Sequence, residues 1–329
     1  MITMIELFSG IGSQTQALKN IGIDHEIIGI SEINKYAIKV YEMLHGKVNN
    51  LGDITKIESL PYCDLLTYSF PCQDLSIAGK QAGIKEGTRS GLLFEVERLL
   101  NGMTKKPKYL LLENVKNLIS EKFYNSYQDW LNKLTAFGYV NYSMLLNAKD
   151  YGIPQNRERV FCVSIRNDIN KFFWIPEKQK LEIKLCDFLK NKVDKKYYLS
   201  EKLKIGLFQN AKVKGRIITD IVNCLTSRYY KDGKENLIIV DDIFKNRNSR
   251  FYAEYSPTLR AGKCKELKVI DLIYSEIRRL IPLECFRLMG FKDDQFNKIT
   301  GISDTQLYKM AGNSIVVNVL EKIFINLLR

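Results

Sequence analysis

The chain has 329 residues, of which 45% are hydrophobic and 26% are charged, and these ordinary globular values argue against a disordered or fibrous protein. Its length suits one large domain with a smaller one beside it. The formal net charge is +13, which favours a polyanionic partner such as nucleic acid.

Short apolar runs alternate with helical stretches over residues 1–170. Strands are predicted at Ile2–Phe8, Glu26–Ile30, Leu65–Ser69, Tyr109–Leu112 and Val160–Ile165. Helices are predicted at Ser13–Ile21 and Lys35–Leu44. Because strands and helices take turns along the chain, we expect an α/β fold with a Rossmann-like, mostly parallel sheet flanked by helices.

The composition changes after residue 170. Residues 171–250 have a net charge of +9 and include paired tyrosines and an Asp-Gly turn signal. These features predict a second, smaller, basic and β-rich domain over residues 171–275, although a solvated lysine-rich surface also explains the charge. Helical patterning returns near Arg278, and residues 276–329 are expected to pack back on the first domain.

A glycine-containing turn follows the first predicted strand. The residues Phe8-Ser-Gly-Ile-Gly-Ser13 allow a tight turn that brings a ligand close to the start of a helix. Glu32 ends the second strand, where a carboxylate can accept hydrogen bonds from a ribose diol. Asp53 follows at the next expected strand tip and could accept from an adenine amino group. Each acid alone is more often a helix cap, but the three features in this order predict an adenosine-containing cofactor.

A cysteine follows the predicted strand at Leu65–Ser69, in the run Phe70-Pro-Cys-Gln73. A strand tip followed by proline holds Cys72 at the mouth of the sheet, where ligands bind in open α/β folds. Residues 74–91 are rich in small side chains and predict a loop that closes over it. The pattern predicts a nucleophilic thiol, with a buried structural cysteine as the alternative. The other six cysteines are expected to be structural, in a reduced cytoplasmic protein.

Charged residues also mark two later strands. Glu113 ends an apolar run, where burial would raise its pKa and let it deliver a proton near neutral pH. Arg157 and Arg159 enter a further apolar strand and are expected to share one face, with Gln155 alongside. Two guanidiniums on one face suit a phosphate or a polar ring edge. A capping carboxylate and a surface ion-pair strip are the alternatives.

In chain order, these motifs resemble those of the DNA cytosine-5 methyltransferase family of bacterial and phage restriction-modification type. The matching runs are FSGIGS at Phe8–Ser13, SE at Ser31–Glu32, GDI at Gly52–Ile54, FPCQ at Phe70–Gln73, ENV at Glu113–Val115, QNRERV at Gln155–Val160, SPTLRA at Ser256–Ala261, RRLIPLECFRLMGF at Arg278–Phe291 and AGNSIVVNV at Ala311–Val319. They cover almost the whole chain outside the basic stretch, and their shared order argues against chance.

The resemblance implies a role for each matching position. It implies S-adenosyl-L-methionine as cofactor, with S-adenosyl-L-homocysteine as product and no metal. The implied cofactor contacts are Phe8, Gly10, Ile11, Gly12, Glu32, Asp53, Ile54, Pro71, Leu92, Asn313 and Ser314. Cys72 would be the nucleophile. Glu113, Arg157 and Arg159, with Gln155 as support, would surround the target base.

The resemblance also implies a reaction and its partners. The family transfers a methyl group to carbon 5 of a cytosine that is rotated out of a specific duplex DNA sequence, through a covalent cysteine adduct. Residues 1–170 would form the catalytic and cofactor-binding domain, and residues 171–275 would recognise the target. We expect a cytoplasmic monomer that acts on double-stranded DNA, needs no membrane, and has a separately acting restriction endonuclease as an optional partner.

Some residues depart from the family pattern. Ser9 and Ser13 replace small residues of the usual FAGxGG, and Ala311 replaces the usual aromatic residue before GNS. A second SPTL-like run at 222–228 competes with the one at 256–261, which we favour because it lies closer to RRLIPLECFRLMGF. A transfer-RNA cytosine-5 methyltransferase on the same scaffold is the nearest alternative. A non-catalytic DNA-binding relic and a small-molecule methyltransferase explain fewer of the motifs.

Overall fold

The computed structural model describes residues 1–71, 90–208, 218, 220–232, 236–240 and 276–329. Cys72, nearly all of the predicted loop at 74–91 and the run Ser256–Ala261 therefore lie outside the described residues. The turn that leads to Cys72 is described as far as Pro71.

A six-stranded sheet forms the centre of the protein. The strands of the first half are β1 (Ile2–Leu7), β2 (His25–Ser31), β3 (Leu65–Tyr68), β4 (Tyr109–Val115), β5 (Tyr139–Asn147), β6 (Gln155–Asn156) and β7 (Glu158–Arg166). All except β6 join one sheet in the order β2-β1-β3-β4-β7-β5. Strands β1 to β4 pair in parallel, whereas β7 runs antiparallel between β4 and β5. The predicted mostly parallel α/β sheet is confirmed.

Helices flank this sheet, and further helices come after its last strand in the chain. They are α1 (Ser13–Asn20), α2 (Lys35–His45), α3 (Leu93–Gly102), α4 (Tyr124–Ala136), α5 (Glu201–Phe208), α6 (Tyr229–Asp232), α7 (Pro282–Arg287), α8 (Asp293–Phe296), α9 (Asp304–Asn313) and α10 (Val317–Leu328). Short 3-10 helices lie at Ile54–Lys56, Ser90–Leu92, Lys116–Ile119, Ala148–Tyr151, Leu185–Phe188 and Lys195–Tyr197.

Two further strand pairs are short. Strand β8 (Val222–Asn223) pairs with β6, and β9 (Ile238–Ile239) pairs with β10 (Ile277–Arg278). Within the described part of residues 171–275, β8 and β9 are the strands, so the β-rich character of that stretch stays a prediction.

Two strands of the central sheet differ from the sequence-based expectation, and the helices α3 and α4 and the short strand β6 were not individually predicted. Strand β4 continues through Val115, because Glu113, Asn114 and Val115 pair with β7. Strand β5 was not predicted at all, because polar residues interrupt its apolar pattern. As the edge strand it leaves Val140 and Leu145 exposed and needs only part of one face to be apolar.

Apolar clusters cover both faces of the sheet. Met4 belongs to one cluster and its neighbour Ile5 to the other, as the alternation of side chains along a strand requires. The first cluster continues into Leu185 and Leu225, so described residues of the basic stretch share a core with the sheet. It also contains much of α10, which packs on α1.

The last two helices form one long apolar segment. Asp304–Leu328 is long and apolar enough to cross a membrane, by length and composition alone. However, 61% of its most apolar window is buried inside the protein, as in helices that belong to a core.

A buried ion pair holds the start of α7. Arg278 donates to both carboxylate oxygens of Glu284, at 2.7 and 2.8 Å, and both side chains are 0% exposed. Glu284 also accepts from the backbone N–H groups of Lys190 and Ile281. The pair therefore links β10, α7 and the segment around Lys190.

Replacing Arg278 with Met is expected to lower the free energy of unfolding by about 3–5 kcal/mol, because Glu284 would remain buried without its cation. The double variant Arg278→Met/Glu284→Leu should recover part of the loss, since neither charge is then stranded, although the N–H groups of Lys190 and Ile281 lose their acceptor. Chemical denaturation of both variants measures the difference. Equal losses in the single and double variants would contradict this account.

Candidate active site

The glycine turn after β1 is built from left-handed backbone conformations. Phe8, Gly10 and Gly12 have φ values of 58°, 56° and 78°. No side chain fits at Gly12, because a Cβ atom there would lie 2.6 Å from the His45 ring and 2.7 Å from Tyr41. The turn is therefore pressed against α2, and glycine is required at this position.

Two side chains tie this turn to its neighbours. Glu32, at the end of β2, accepts a hydrogen bond from the Gly10 N–H at 3.0 Å, and others from the next two residues along the chain at 2.9 and 2.8 Å. From α2, the His45 Nε2 atom donates to the Ile11 carbonyl at 3.0 Å. The outer side of the turn is open, because a Cβ atom at Gly10 would have no heavy atom within 4 Å.

Asp53 lies beside the end of β2. The Ser31 hydroxyl donates to the Gly52 carbonyl at 2.7 Å, which fixes the segment next to the strand. Hydrogen bonds from the backbone N–H and hydroxyl of Thr55 hold the pKa of Asp53 below its ordinary value. The carboxylate is therefore ionised at neutral pH, and the buried Ile54 follows it.

Glu113 is a buried carboxyl at the carboxyl end of β4, 8% exposed. The Arg159 Nε atom lies 3.2 Å from its Oε1 atom. Burial raises the pKa of Glu113, while Arg159, Arg157 and a hydrogen bond from Ser69 lower it. The net pKa lies above its ordinary value, so the proton is retained to higher pH than in a free glutamate.

The next residue anchors the turn before Cys72. The Asn114 Nδ2 atom donates to the buried Phe70 carbonyl at 3.1 Å. Strands β3 and β4 are parallel neighbours, so their ends meet at one edge of the sheet. The half-buried Pro71 is therefore held beside the Glu113 end of β4.

Arg157 joins three distant parts of the chain. Its side chain is 3% exposed and donates to the carbonyls of Leu225 at 2.8 Å, Gly312 at 3.0 Å and Ser314 at 2.7 Å. It also contacts the Cys224 sulfur at 3.4 Å. These hydrogen bonds use the guanidinium to hold the backbone segments around Leu225 and Gly312 together beside the site.

Gln155 makes a similar connection. Its fully buried amide donates to the Leu288 carbonyl at 2.9 Å and accepts from the Leu225 N–H at 3.1 Å. Gly312 approaches the backbone of Thr226 and Ser227 so closely that no Cβ atom fits there. These contacts seat the segment around Leu225 between the start of β7 and the turn after α9.

The remaining predicted cofactor residues lie on separate elements. Leu92 ends the short 3-10 helix and directly precedes α3, and its partly buried side chain packs against the second apolar cluster. Asn313 is exposed at the end of α9, whereas the Ser314 hydroxyl donates to the Met310 carbonyl at 2.7 Å. Among the described residues, no three His, Cys, Asp or Glu side chains converge as a metal site would require.

Comparison with known proteins identifies the family to which this site corresponds. The sequence profile of the C-5 cytosine-specific DNA methylase family matches residues 2–329. The chain belongs to this family. It is therefore a DNA cytosine-5 methyltransferase.

Individual relatives agree with the profile. The chain is 36% identical over 382 aligned residues to a type II methyltransferase of Lactococcus lactis subsp. cremoris, covering 98% of each chain. It is 32% identical to an orphan methyltransferase of Bacillus phage SPbeta, covering 98% of this methylase and 96% of that relative. The crystal structure of the Dnmt2 methyltransferase of S. pombe matches with a TM-score of 0.74 at 21% identity, over 100% of both chains, which shows a shared fold.

Cys224 contacts two arginines of the candidate site, and it was not singled out from the sequence. Its half-buried sulfur lies 3.4 Å from Arg157 and 3.7 Å from Arg159. Burial raises the pKa of the Cys224 thiol, but the two guanidiniums outweigh it and hold the pKa below its ordinary value. The only sequence signal was the second SPTL-like run at 222–228, which the structure places beside the arginines.

A side chain at Gly12 is expected to impair cofactor binding and the fold together. Gly12→Ala should cost about 1–3 kcal/mol of unfolding free energy, because its φ is positive and the methyl group meets His45 and Tyr41. Thermal denaturation and cofactor titration measure both effects. The matched control is Gly102→Ala, where a Cβ atom has open space. Wild-type stability and affinity in Gly12→Ala would contradict the tight turn.

Cys224→Ala is expected to lower kcat/KM for DNA methylation by about tenfold, because Arg159 loses an acceptor that orients it toward Glu113. Cys224→Ser should retain more activity, since its hydroxyl can accept the same hydrogen bonds. Steady-state kinetics measure the change, with Cys186→Ala, another partly exposed thiol, as control. Wild-type kinetics in Cys224→Ala would remove this residue from the site.

Proposed function

We propose that this methyltransferase moves a methyl group from S-adenosyl-L-methionine to carbon 5 of a cytosine in duplex DNA, with Cys72 as nucleophile and Glu113 as proton donor. The observation that carries the proposal is the buried Glu113 carboxyl, with Arg159 at 3.2 Å. Asn114, its neighbour, is bonded to Phe70 just before Cys72. The strand that carries the proposed proton donor is therefore hydrogen-bonded to the residue two positions before Cys72.

The residues at the carboxyl edge of the sheet fit the cofactor. Glu32 offers a carboxylate to a ribose diol, and the ionised Asp53 offers one to an amino group. The open side of Gly10 leaves room for a ligand above the turn, the partly buried Leu92 supplies apolar surface, and the buried Ile54 supports the segment that carries Asp53. When bound, S-adenosyl-L-methionine supplies the electrophilic methyl group.

Cytosine carbon 5 is a poor nucleophile until the ring is activated. Attack of the Cys72 thiolate at carbon 6, with a proton delivered by Glu113 to ring nitrogen 3, makes the ring an enamine. Carbon 5 then takes the methyl group, and S-adenosyl-L-homocysteine is the leaving group. A base removes the proton at carbon 5 as the Cys72 thiolate leaves, and nitrogen 3 returns its proton to Glu113. The Arg159 guanidinium faces the Glu113 side of the pocket and stabilises charge on the carbonyl edge of the base.

Arg157 and Gln155 act in this scheme as positioning residues. Their polar atoms bond to backbone groups of the segment around Leu225 and of the C-terminal region. They hold Arg159 and Cys224 at the mouth of the pocket, and Arg159 contacts the base. Arg157 and Arg159, two residues apart, thus have different roles. Arg157 positions backbone segments, and Arg159 contacts the base.

The positive charge of the chain supports duplex DNA as the substrate. Residues 171–250 carry a net charge of +9, and we assign residues 171–275 to recognition of duplex DNA. Residues 1–170 would carry the chemistry, and 276–329 would complete it from the C-terminal side. The target cytosine must rotate out of the helix, at a cost on the order of a few kcal/mol. We further propose a cytoplasmic monomer, either the modification partner of a separate restriction endonuclease or an orphan enzyme.

Cys72→Ser is expected to abolish methyl transfer while DNA and cofactor binding persist. Glu113→Gln should lower the rate by about 10²–10⁴-fold, because an amide cannot deliver the proton. In the wild type the rate should fall as pH rises through the raised pKa of Glu113, and this limb should be absent in Glu113→Gln. Bisulfite sequencing of treated duplex DNA measures product and target sequence together.

Matched controls separate chemistry from folding. Cys186→Ser and Glu97→Gln alter a thiol and a surface ion pair away from the pocket and should keep wild-type rates. Transfer RNA serves as the competing substrate. Methylation of transfer RNA without methylation of duplex DNA would overturn the substrate, and turnover by Cys72→Ser would overturn the nucleophile.

A further inference from the structure

A cavity of about 210 Å³ lies behind the glycine turn, between α1, β2 and the end of α2. We call it the His45 cavity. Its lining includes both histidines of the chain, His25 and His45, together with Lys19 and Lys47. No acidic side chain lines it among the residues that the structure describes. None of its residues takes part in the chemistry assigned to Cys72 and Glu113.

The hydrogen bonds of His45 define its charge. Its Nε2 atom donates to the Ile11 carbonyl at 3.0 Å, and its Nδ1 atom accepts from the Lys19 ammonium at 3.3 Å. An imidazole that donates from one nitrogen and accepts at the other is neutral. Burial and the nearby Lys19 lower the pKa of His45 to about 3, in agreement with this arrangement.

Positive charge around the cavity is not fully balanced. Burial and the nearby Lys298 lower the pKa of Lys19, while Glu6 raises it. Glu6 is completely buried, with a pKa of about 7, and it accepts hydrogen bonds from Tyr41 and the Thr15 N–H. It is therefore a weak counter-charge, and the two lysines that line the cavity, Lys19 and Lys47, have no acidic side chain among its other described lining residues.

The wall of the cavity also offers neutral hydrogen-bonding groups. The Thr15 and Tyr41 hydroxyls line it, but Tyr41 donates to Glu6 and Thr15 bonds to Tyr41 at 2.9 Å, so these two protons are already used. The Nδ1 atom of His25 donates to the Ile23 carbonyl, so in the neutral ring the Nε2 atom is an acceptor that suits the hydroxyl of a singly protonated phosphate. The ammonium groups of Lys19 and Lys47 are the donors that an oxyanion requires.

We propose that the His45 cavity binds a small oxyanion of the phosphate class, either free or as the phosphate group of a metabolite, between Lys19 and Lys47. The volume holds a tetrahedral oxyanion with room for water or for one small substituent. A bound oxyanion supplies the negative charge that balances Lys19 and Lys47.

The cavity shares its wall with the cofactor turn. His45 bonds to Ile11 and, with Tyr41, fills the space behind Gly12. An oxyanion held by Lys19 draws on the same ammonium that bonds to His45, so the occupant and the cofactor turn are physically coupled. Phosphate is expected to tighten cofactor binding, because it fixes the wall against which the turn rests.

Calorimetric titration of the full chain with inorganic phosphate, at constant ionic strength set by chloride and without DNA, tests the site. Saturable binding is expected, and the double variant Lys19→Gln/Lys47→Gln should weaken it by about tenfold or more. Lys202→Gln, an exposed lysine on α5, is the matched control and should bind as the wild type does. Absence of saturable binding, or equal binding in all three proteins, would overturn the proposal.

A second readout keeps the site separate from the proposed function. Saturating phosphate should tighten S-adenosyl-L-homocysteine binding by about fivefold in the wild type and leave it unchanged in the double variant. This arm rests on the proposed cofactor, whereas the phosphate titration does not. Phosphate binding without an effect on the cofactor would overturn the coupling. A protein that binds phosphate but no cofactor would instead count against the proposed function.

Discussion

The site depends on one buried guanidinium. Arg157 is a charged group with almost no access to water, and it is tolerated because carbonyls from two other parts of the chain accept its hydrogen bonds. Those carbonyls belong to residues 225, 312 and 314, so a single side chain sets the distance between the basic stretch and the C-terminal helices. Without the Arg157 side chain, Arg159, Cys224 and the turn after α9 would lose the group that holds them together.

Two buried carboxyls illustrate how environment assigns roles. Glu6 and Glu113 both lie on strands of the sheet, and burial raises the pKa of each. Glu6 is enclosed by hydroxyls and backbone inside the protein, where it can only brace α1 and α2. Glu113 lies at the carboxyl edge beside a guanidinium and the approach to Cys72. The same side chain thus serves as scaffold in one strand and as a candidate acid in another.

Local patterns predicted the first half of the fold well. The apolar runs of β1 and the helical spacing of α1 and α2 were located to within a residue at each end, because those elements are continuous and end at glycine or polar residues. Strand β5 escaped because an edge strand needs little apolar alternation. The hydrogen-bond partners of Arg157 and Gln155 were not predicted, for a different reason. Their partners lie far away in the chain, and no local pattern records which backbone carbonyl a side chain will meet. Cys224 was predicted to be a structural cysteine, because the sequence does not show its contacts with Arg157 and Arg159.

The close approach of Gly312 to Thr226 bears on the order in which the protein assembles. The cofactor turn is closed by contacts within the first 54 residues, whereas the bond from Arg157 to Gly312 spans 155 positions. Closing so long a loop carries a larger entropic penalty. The hydrogen bonds of the cofactor turn need no residue beyond position 54, so the turn can close before the base pocket, whose support requires the chain through residue 314.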